Sequence, residues 1–366
     1  MGLTSPASSR AYKIFSKRGQ TALDLGSKRI TWDIISDMWH PLKNPSGYLS
    51  VRMAENTLLH TEHLSYNNGS MGPNTLRKAV SHFLNRHFDP FRPVEPAHVP
   101  ITNGCSSAIE HLSWTFLNPG EAILLSKPYY STFIADICLR PEAVLVPVEM
   151  GGVDSLSLEA CVRAVMLCNL HNPLRRCYPR RTVDRLMRLC QTRQIHLIAD
   201  EIYVLSVWEN RVDKDVPFAP FESLVKAFCA NGLRVGALIS QGNPELHIAQ
   251  KCLSLYSFVS GLSDQITASI LENDGFTDQY IQVNREKLST RGLLVNLLNK
   301  HGIEYSRGCH AGFLSHPRVD VQGLEFTDLL FQLLLDNKVY VTHGTACFAH
   351  PLPWLEAMLR ILRTIQ

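Results

Sequence analysis

Between about residues 98 and 240, short apolar runs alternate with stretches of helical period, and this alternation limits the fold more than any other feature of the chain. The runs are AILLS (122–126), AVLVPV (143–148), VMLCN (165–169) and IHLIA (195–199), and VDRLMRLCQTRQ (183–194) is one of the helical stretches between them. A run with no polar alternation suits a strand buried on both faces, which is the strand of a parallel sheet with crossover helices. The expectation is an α/β fold built on a mostly parallel sheet. Open sheets of this kind bind ligands beyond the carboxyl ends of their strands, so chemistry is sought in the residues that follow each run.

Those residues carry usable groups. IHLIA ends in Asp200-Glu201-Ile202-Tyr203, and VMLCN is followed by His171-Asn172-Pro173-Leu174. Farther on, SLVKAFCANGLRVG (223–236) sets Lys226 three residues after Ser223 and eight before Arg234. An amine can form an imine with an aldehyde, while a hydroxyl and a guanidinium can hold a phosphate. The loop Asn103-Gly104-Cys105-Ser106 precedes a stretch with Ile109, Leu112 and Phe116 at helical spacing, so the amides of Cys105 and Ser106 would sit at a helix start suited to an anion. Taken singly, each feature has a plainer reading: a surface lysine, an acid capping a helix, an asparagine turning before proline, an ordinary N-cap.

As an ordered set, AEN (54–56), PITNGCSSAIEHL (100–112), KPYYSTF (127–133), LCNLHNPLRRCYPR (167–180), IHLIADEIYVLSV (195–207) and SLVKAFCANGLRVGALIS (223–240) resemble the fold-type I pyridoxal-phosphate enzymes of aminotransferase class I/II. The closer likeness is to the branch containing 1-aminocyclopropane-1-carboxylate (ACC) synthases and their fungal relatives. The resemblance implies an aminotransferase-like fold with pyridoxal 5′-phosphate as cofactor. Lys226 would carry the cofactor and move the substrate proton. Asp200 would keep the pyridine nitrogen protonated, which makes the ring an electron sink. Tyr203 and Asn172 would hydrogen-bond the ring oxygen, Tyr130 would stack on the ring face, and Ser223, Arg234, Cys105 and Ser106 would hold the phosphate. Glu55, in AEN, matches an acidic residue near the substrate, or is simply a helix-start acid.

The same resemblance implies an N-terminal arm (1–75) contributing to a small domain, a large cofactor-binding domain (76–270), a small C-terminal domain (271–366) and a homodimer. The substrate would be amino-acid-like, with transamination or elimination, including C–S cleavage, as the reaction. The fungal relatives point to specialised metabolism.

The sequence also departs from the family pattern. The segment between Tyr203 and Ser223 is short, so the strand that should lead into the lysine is expected to be missing or very short. The end of the chain reads as a loop running almost directly into a final helix, without the strand arginine that binds a substrate carboxylate. Arg175 stands where the family has glycine, and it is expected to change the turn after Asn172, because glycine takes positive φ most readily. Ser70 replaces a tyrosine of the ACC synthases. These departures leave a degraded, non-catalytic family member as an alternative. A nucleotide-dependent α/β oxidoreductase fits less well, because no GxGxxG follows the first strand.

Composition narrows the rest. A net charge of +3 gives no reason to expect a polyanion partner, and the arginines at 175, 176, 180 and 181 lack aromatic interleaving and read as a solvated approach to a helix rather than a nucleic-acid site. The 10 cysteines form no CxxC pair and show no metal-type spacing with the histidines, which predicts reduced thiols, no metal and a cytoplasmic enzyme. No run is long enough to predict a membrane span.

Overall fold

The computed structural model describes residues 15–28, 70–149, 161–203 and 231–289, with isolated positions between 37 and 48, residue 205, and short strands and scattered positions after 289. In chain order the main elements are α1 (Lys17–Lys28), α2 (Asn74–Phe88), β1 (Ile101–Thr102), α3 (Gly104–Phe116), β2 (Ala122–Lys127), β3 (Val144–Glu149), β4 (Val162–Cys168), α4 (Arg180–Arg193) and β5 (His196–Asp200). They continue with β6 (Gly236–Ala237), α5 (Pro244–Leu253), α6 (Gly261–Glu272), α7 (Asp274–Ser289), β7 (Glu304–Tyr305), β8 (Leu314–Ser315), β9 (Pro317–Arg318), β10 (Thr342–His343) and β11 (Leu355–Met358). Two units emerge: one of residues 1–120, 136–143 and 229–278, the other of 121–135, 144–228 and 279–366.

In the first unit, α1 packs so closely that it needs glycine. A Cβ on Gly19 would lie 2.2 Å from the carbonyl oxygen of Thr115 in α3, and one on Gly26 would lie 2.2 Å from that of Ile248 in α5. The two glycines are seven residues apart and so share one face of the helix. Ser16 fixes where α1 starts, because its Oγ accepts from the Gly19 amide at 2.8 Å and donates to the Trp114 carbonyl at 2.8 Å. Helix α2 buries Leu76, Ala79, Val80, Phe83 and Leu84, and it packs against α6, which buries Ala268 and Leu271. Strands β1 and β6 pair antiparallel, with Thr102 opposite Gly236.

Helix α6 also buries Asp264, whose Oδ1 has no hydrogen-bond partner. Its place in the first turn lets the helix dipole favour the ionised form by only about 0.5 kcal/mol. Burial outweighs this and pushes the carboxyl up to about 7. The folded state therefore holds the proton more tightly than the unfolded chain. The group's contribution to stability is complete below about pH 4 and is lost as pH rises through about 7. Urea unfolding should show Asp264→Asn gaining on the parent by on the order of 2 kcal/mol between pH 5 and pH 8, and a constant difference would contradict this.

The second unit contains the parallel sheet, with strand order β3-β2-β4-β5. The four runs read as strands each form one, displaced by no more than three residues at either end. Central β2 and β4 bury four and five consecutive residues respectively, as unbroken apolar runs should. Strand β3 lies at the edge and tolerates Pro147, which cannot donate to a ladder on both sides. Helix α4 covers one face, where Cys190 and Leu186 meet Leu124, Val165 and Leu197. It stops at Gln194 in the left-handed conformation, φ 56°.

The end of the chain corrects one expectation. Residues 355–358 are not the start of a helix: β11 is the middle strand of an antiparallel sheet ordered β10-β11-β8. Leu, Glu, Ala and Met all favour helices, so the local sequence points the wrong way. Pairing with distant strands on both sides overrides that preference. The strand reads Leu-Glu-Ala-Met and contains no arginine.

Candidate active site

Each unit contributes a distinct arrangement. In the second, β4 and β5 run parallel and end together, with Cys168 opposite Asp200. Cys168 Sγ donates to Asp200 Oδ2 at 3.7 Å, and the Asn169 amide donates to the Asp200 carbonyl at 3.0 Å. Burial and the charge of Asp200 push the Cys168 thiol well up and raise the Glu201 carboxyl to about 8. Both neighbours are therefore held toward their neutral forms at pH 7.

Tyr203 and Asn172 meet in the same corner, as the order of the motifs suggested. Asn172 Nδ2 donates to the Tyr203 hydroxyl at 3.1 Å, and both side chains are buried. Asn172 Oδ1 is buried with no hydrogen-bond partner, so one end of this amide is left for a ligand. The Tyr203 ring packs with Leu170, Cys177 and Ile202, which fixes its direction. Tyr130, in contrast, is 40% exposed while its neighbour Tyr129 is buried, so the outer tyrosine keeps a face open for stacking. Its ring meets Phe133 edge-on at 5.5 Å.

Arg175 departs from both expectations for it. The turn keeps the shape a glycine would give, with Arg175 itself at φ 59° and its amide donating to the His171 carbonyl at 2.7 Å. Left-handed geometry costs a residue with a Cβ about 1 kcal/mol. Nor is it part of a solvated basic cluster: Arg176, Arg180 and Arg181 are exposed, but Arg175 is 1% exposed and its guanidinium lies 4.5 Å from the centre of the Tyr203 ring. Burial and this cation push His171 down to about 3, so His171 is a neutral bridge, with Nε2 3.3 Å from Ser126 Oγ.

In the first unit, α3 begins at Gly104-Cys105-Ser106, and its N-cap, Asn103, makes no side-chain capping bond. The first-turn amides of α3 are therefore not capped by the Asn103 side chain. Arg234 lies over this point, since a Cβ on Gly104 would come within 2.6 Å of its Nη2. Helix amides and a guanidinium thus converge where Cys105, Ser106 and Arg234 were expected to hold a phosphate. From below, the Asn103 amide donates to the Ser257 carbonyl at 3.0 Å. His111 spans Ser257 Oγ (2.7 Å) and Gln250 Oε1 (2.8 Å), and burial holds it below its ordinary pKa.

Gly236 makes the cradle possible, because a Cβ there would lie 2.6 Å from Gly104 C and 2.9 Å from the Cys105 nitrogen. Gly236→Ala should cost about 1–3 kcal/mol by overpacking and weaken binding of phosphate-bearing ligands about tenfold. Unchanged affinity by titration would contradict this account of the cradle.

Ser70 is buried and donates to the Lys251 carbonyl at 2.9 Å, so it acts within its own unit. Lys226, Ser223 and Glu55, and the segment where a strand was expected to be short or missing, lie outside the described residues. The sequence reading passed over His111, Gln250 and Glu201.

Each arrangement by itself suits a part of pyridoxal 5′-phosphate: in the second unit an acid and a phenol suit a hydroxypyridine ring, and in the first a helix start beneath a guanidinium suits a phosphate. The family model for aminotransferase class I and II matches residues 50–362. A probable aminotransferase of Aspergillus oryzae is 31% identical, with 79% of this chain and 76% of that protein covered. The 1-aminocyclopropane-1-carboxylate synthase 7 of Arabidopsis thaliana is 26% identical, covering 92% and 82%. A mouse protein named as a probable inactive 1-aminocyclopropane-1-carboxylate synthase-like protein 2 is 27% identical, covering 69% and 52%. In fold, the chain is similar to a mutant of Thermus thermophilus aspartate aminotransferase, with TM-score 0.68, 22% identity and coverage of 81% and 84%. The chain belongs to the aminotransferase class I and II family, whose members depend on pyridoxal phosphate.

Proposed function

We propose that the protein breaks a bond at Cα of an amino-acid-like substrate, by transamination or by elimination at the β or γ carbon, C–S cleavage included. The observation that carries this reading is the corner at the ends of β4 and β5, where Asp200 lies between a thiol and a carboxyl that are held neutral while Tyr203 and Asn172 present polar groups in the same unit. When bound, the cofactor supplies an electron sink for the pair left at Cα. Asp200 holds a proton on the ring nitrogen. Tyr203 and Asn172 orient the ring through its oxygen, and Tyr130 covers one face. Cys105, Ser106, Ser223 and Arg234 hold the phosphate, Lys226 anchors the cofactor and moves the Cα proton, and Glu55 faces the substrate. A second copy of the chain is the proposed partner. The exposed Leu262 (61%) and Ile266 (49%), four residues apart on α6, support a face that a partner covers.

An alternative is a member that binds the cofactor without turning over. It is favoured by β11, which contains Glu356 and no arginine, and by the name of the mouse relative. Incubating the cofactor-loaded protein with a panel of amino acids, with and without a keto-acid acceptor, tests the two readings. Keto acid indicates transamination, and ammonia, thiol or 1-aminocyclopropane-1-carboxylate indicates elimination. Bound cofactor with no product across the panel supports the alternative.

A further inference from the structure

Arg175 makes no proposed contact with substrate or cofactor, yet among the described residues it is the largest side chain less than 2% exposed. Its backbone bears a conformation that glycine would take without strain, so a glycine here would give the same turn. Its guanidinium stacks on the Tyr203 ring at 4.5 Å, and the phenol oxygen accepts from Asn172 at 3.1 Å. With the Asn172 amide donating to that oxygen, the hydroxyl is free to donate its own hydrogen to an acceptor. A nearby cation makes a phenol a stronger donor and favours negative charge on whatever accepts from it.

We propose that Arg175 is a positioning and charge-setting residue that, through Tyr203, favours an aryl oxyanion at the point the Tyr203 hydroxyl addresses. This rests on the reading of those two residues as contacts of the cofactor's ring oxygen. Besides Arg175, the titratable groups acting on Tyr203 among the described residues are Cys168 at the end of β4 and Asp200 at the end of β5. The thiol is neutral, and Asp200 opposes ionisation of the phenol, so Arg175 is the group that favours it.

Two measurements on the full chain test the proposal, each on the parent, Arg175→Gly and Arg175→Lys. The first follows the pH at which the cofactor-loaded protein changes its visible absorption, which reports loss of the proton beside the ring oxygen. A cation there disfavours that proton, so Arg175→Gly should raise the midpoint by about one unit. Arg175→Lys should fall between, because it keeps the charge without the planar fork. If the glycine variant does not fold, the shift of the lysine variant decides. The second places a fluorinated tyrosine at position 203 and follows its ionisation by fluorine NMR without added cofactor. Losing Arg175 should raise that midpoint too. An unchanged midpoint in either measurement overturns the proposal. If the parent binds no cofactor, the proposed function fails, and the fluorine titration still reports whether Arg175 acts on Tyr203.

Discussion

Lys226→Ala should lose the visible absorption that the parent gains with pyridoxal phosphate, and turnover should fall at least about 10⁴-fold. Two effects combine: covalent attachment ends, and the group that moves the Cα proton is removed, a role worth about 10²–10⁴-fold by itself. The proposed phosphate contacts at Arg234 and the start of α3 would be untouched, so the variant should still bind the cofactor, reversibly and more weakly. Adding a small primary amine should restore part of the activity. A variant that keeps the parent's spectrum would assign the role to another lysine.

Asp200→Asn should leave the fold intact and lower turnover by about 10²–10³-fold, the usual cost of removing one preorganised electrostatic partner from a developing charge. Its isostere keeps the shape of the corner, but asparagine cannot hold a proton on a ring nitrogen by charge. A second consequence follows from the neighbours. Part of what raises Glu201 to about 8 is the charge of Asp200, so Glu201 should titrate lower in the variant. Unchanged turnover would remove Asp200 from the chemistry.

How legible each of these features was depends on how local its cause is. The ends of β4 and β5 could be read because unbroken apolar runs mark parallel strands, and such sheets present their chemistry at the carboxyl ends. Asp200, Asn172 and Tyr203 follow directly from that. Arg175 was misread because a row of arginines looks solvated, and only the backbone at φ 59° turns this one inward. The strand at 355–358 was missed because its residues favour helix and its partners lie far away in sequence. The support beneath the phosphate cradle was also out of reach, since His111 and Gln250 are 139 residues apart. The glycines at 19 and 236 acquire meaning only when the backbone they admit is known.

The central claim is that Lys226 anchors pyridoxal phosphate in this chain. Treating the cofactor-loaded protein with borohydride, digesting it and locating the pyridoxyl-modified lysine by mass spectrometry tests it most directly. The account predicts one modified peptide, containing Lys226. Modification at another lysine, or at none, would contradict it.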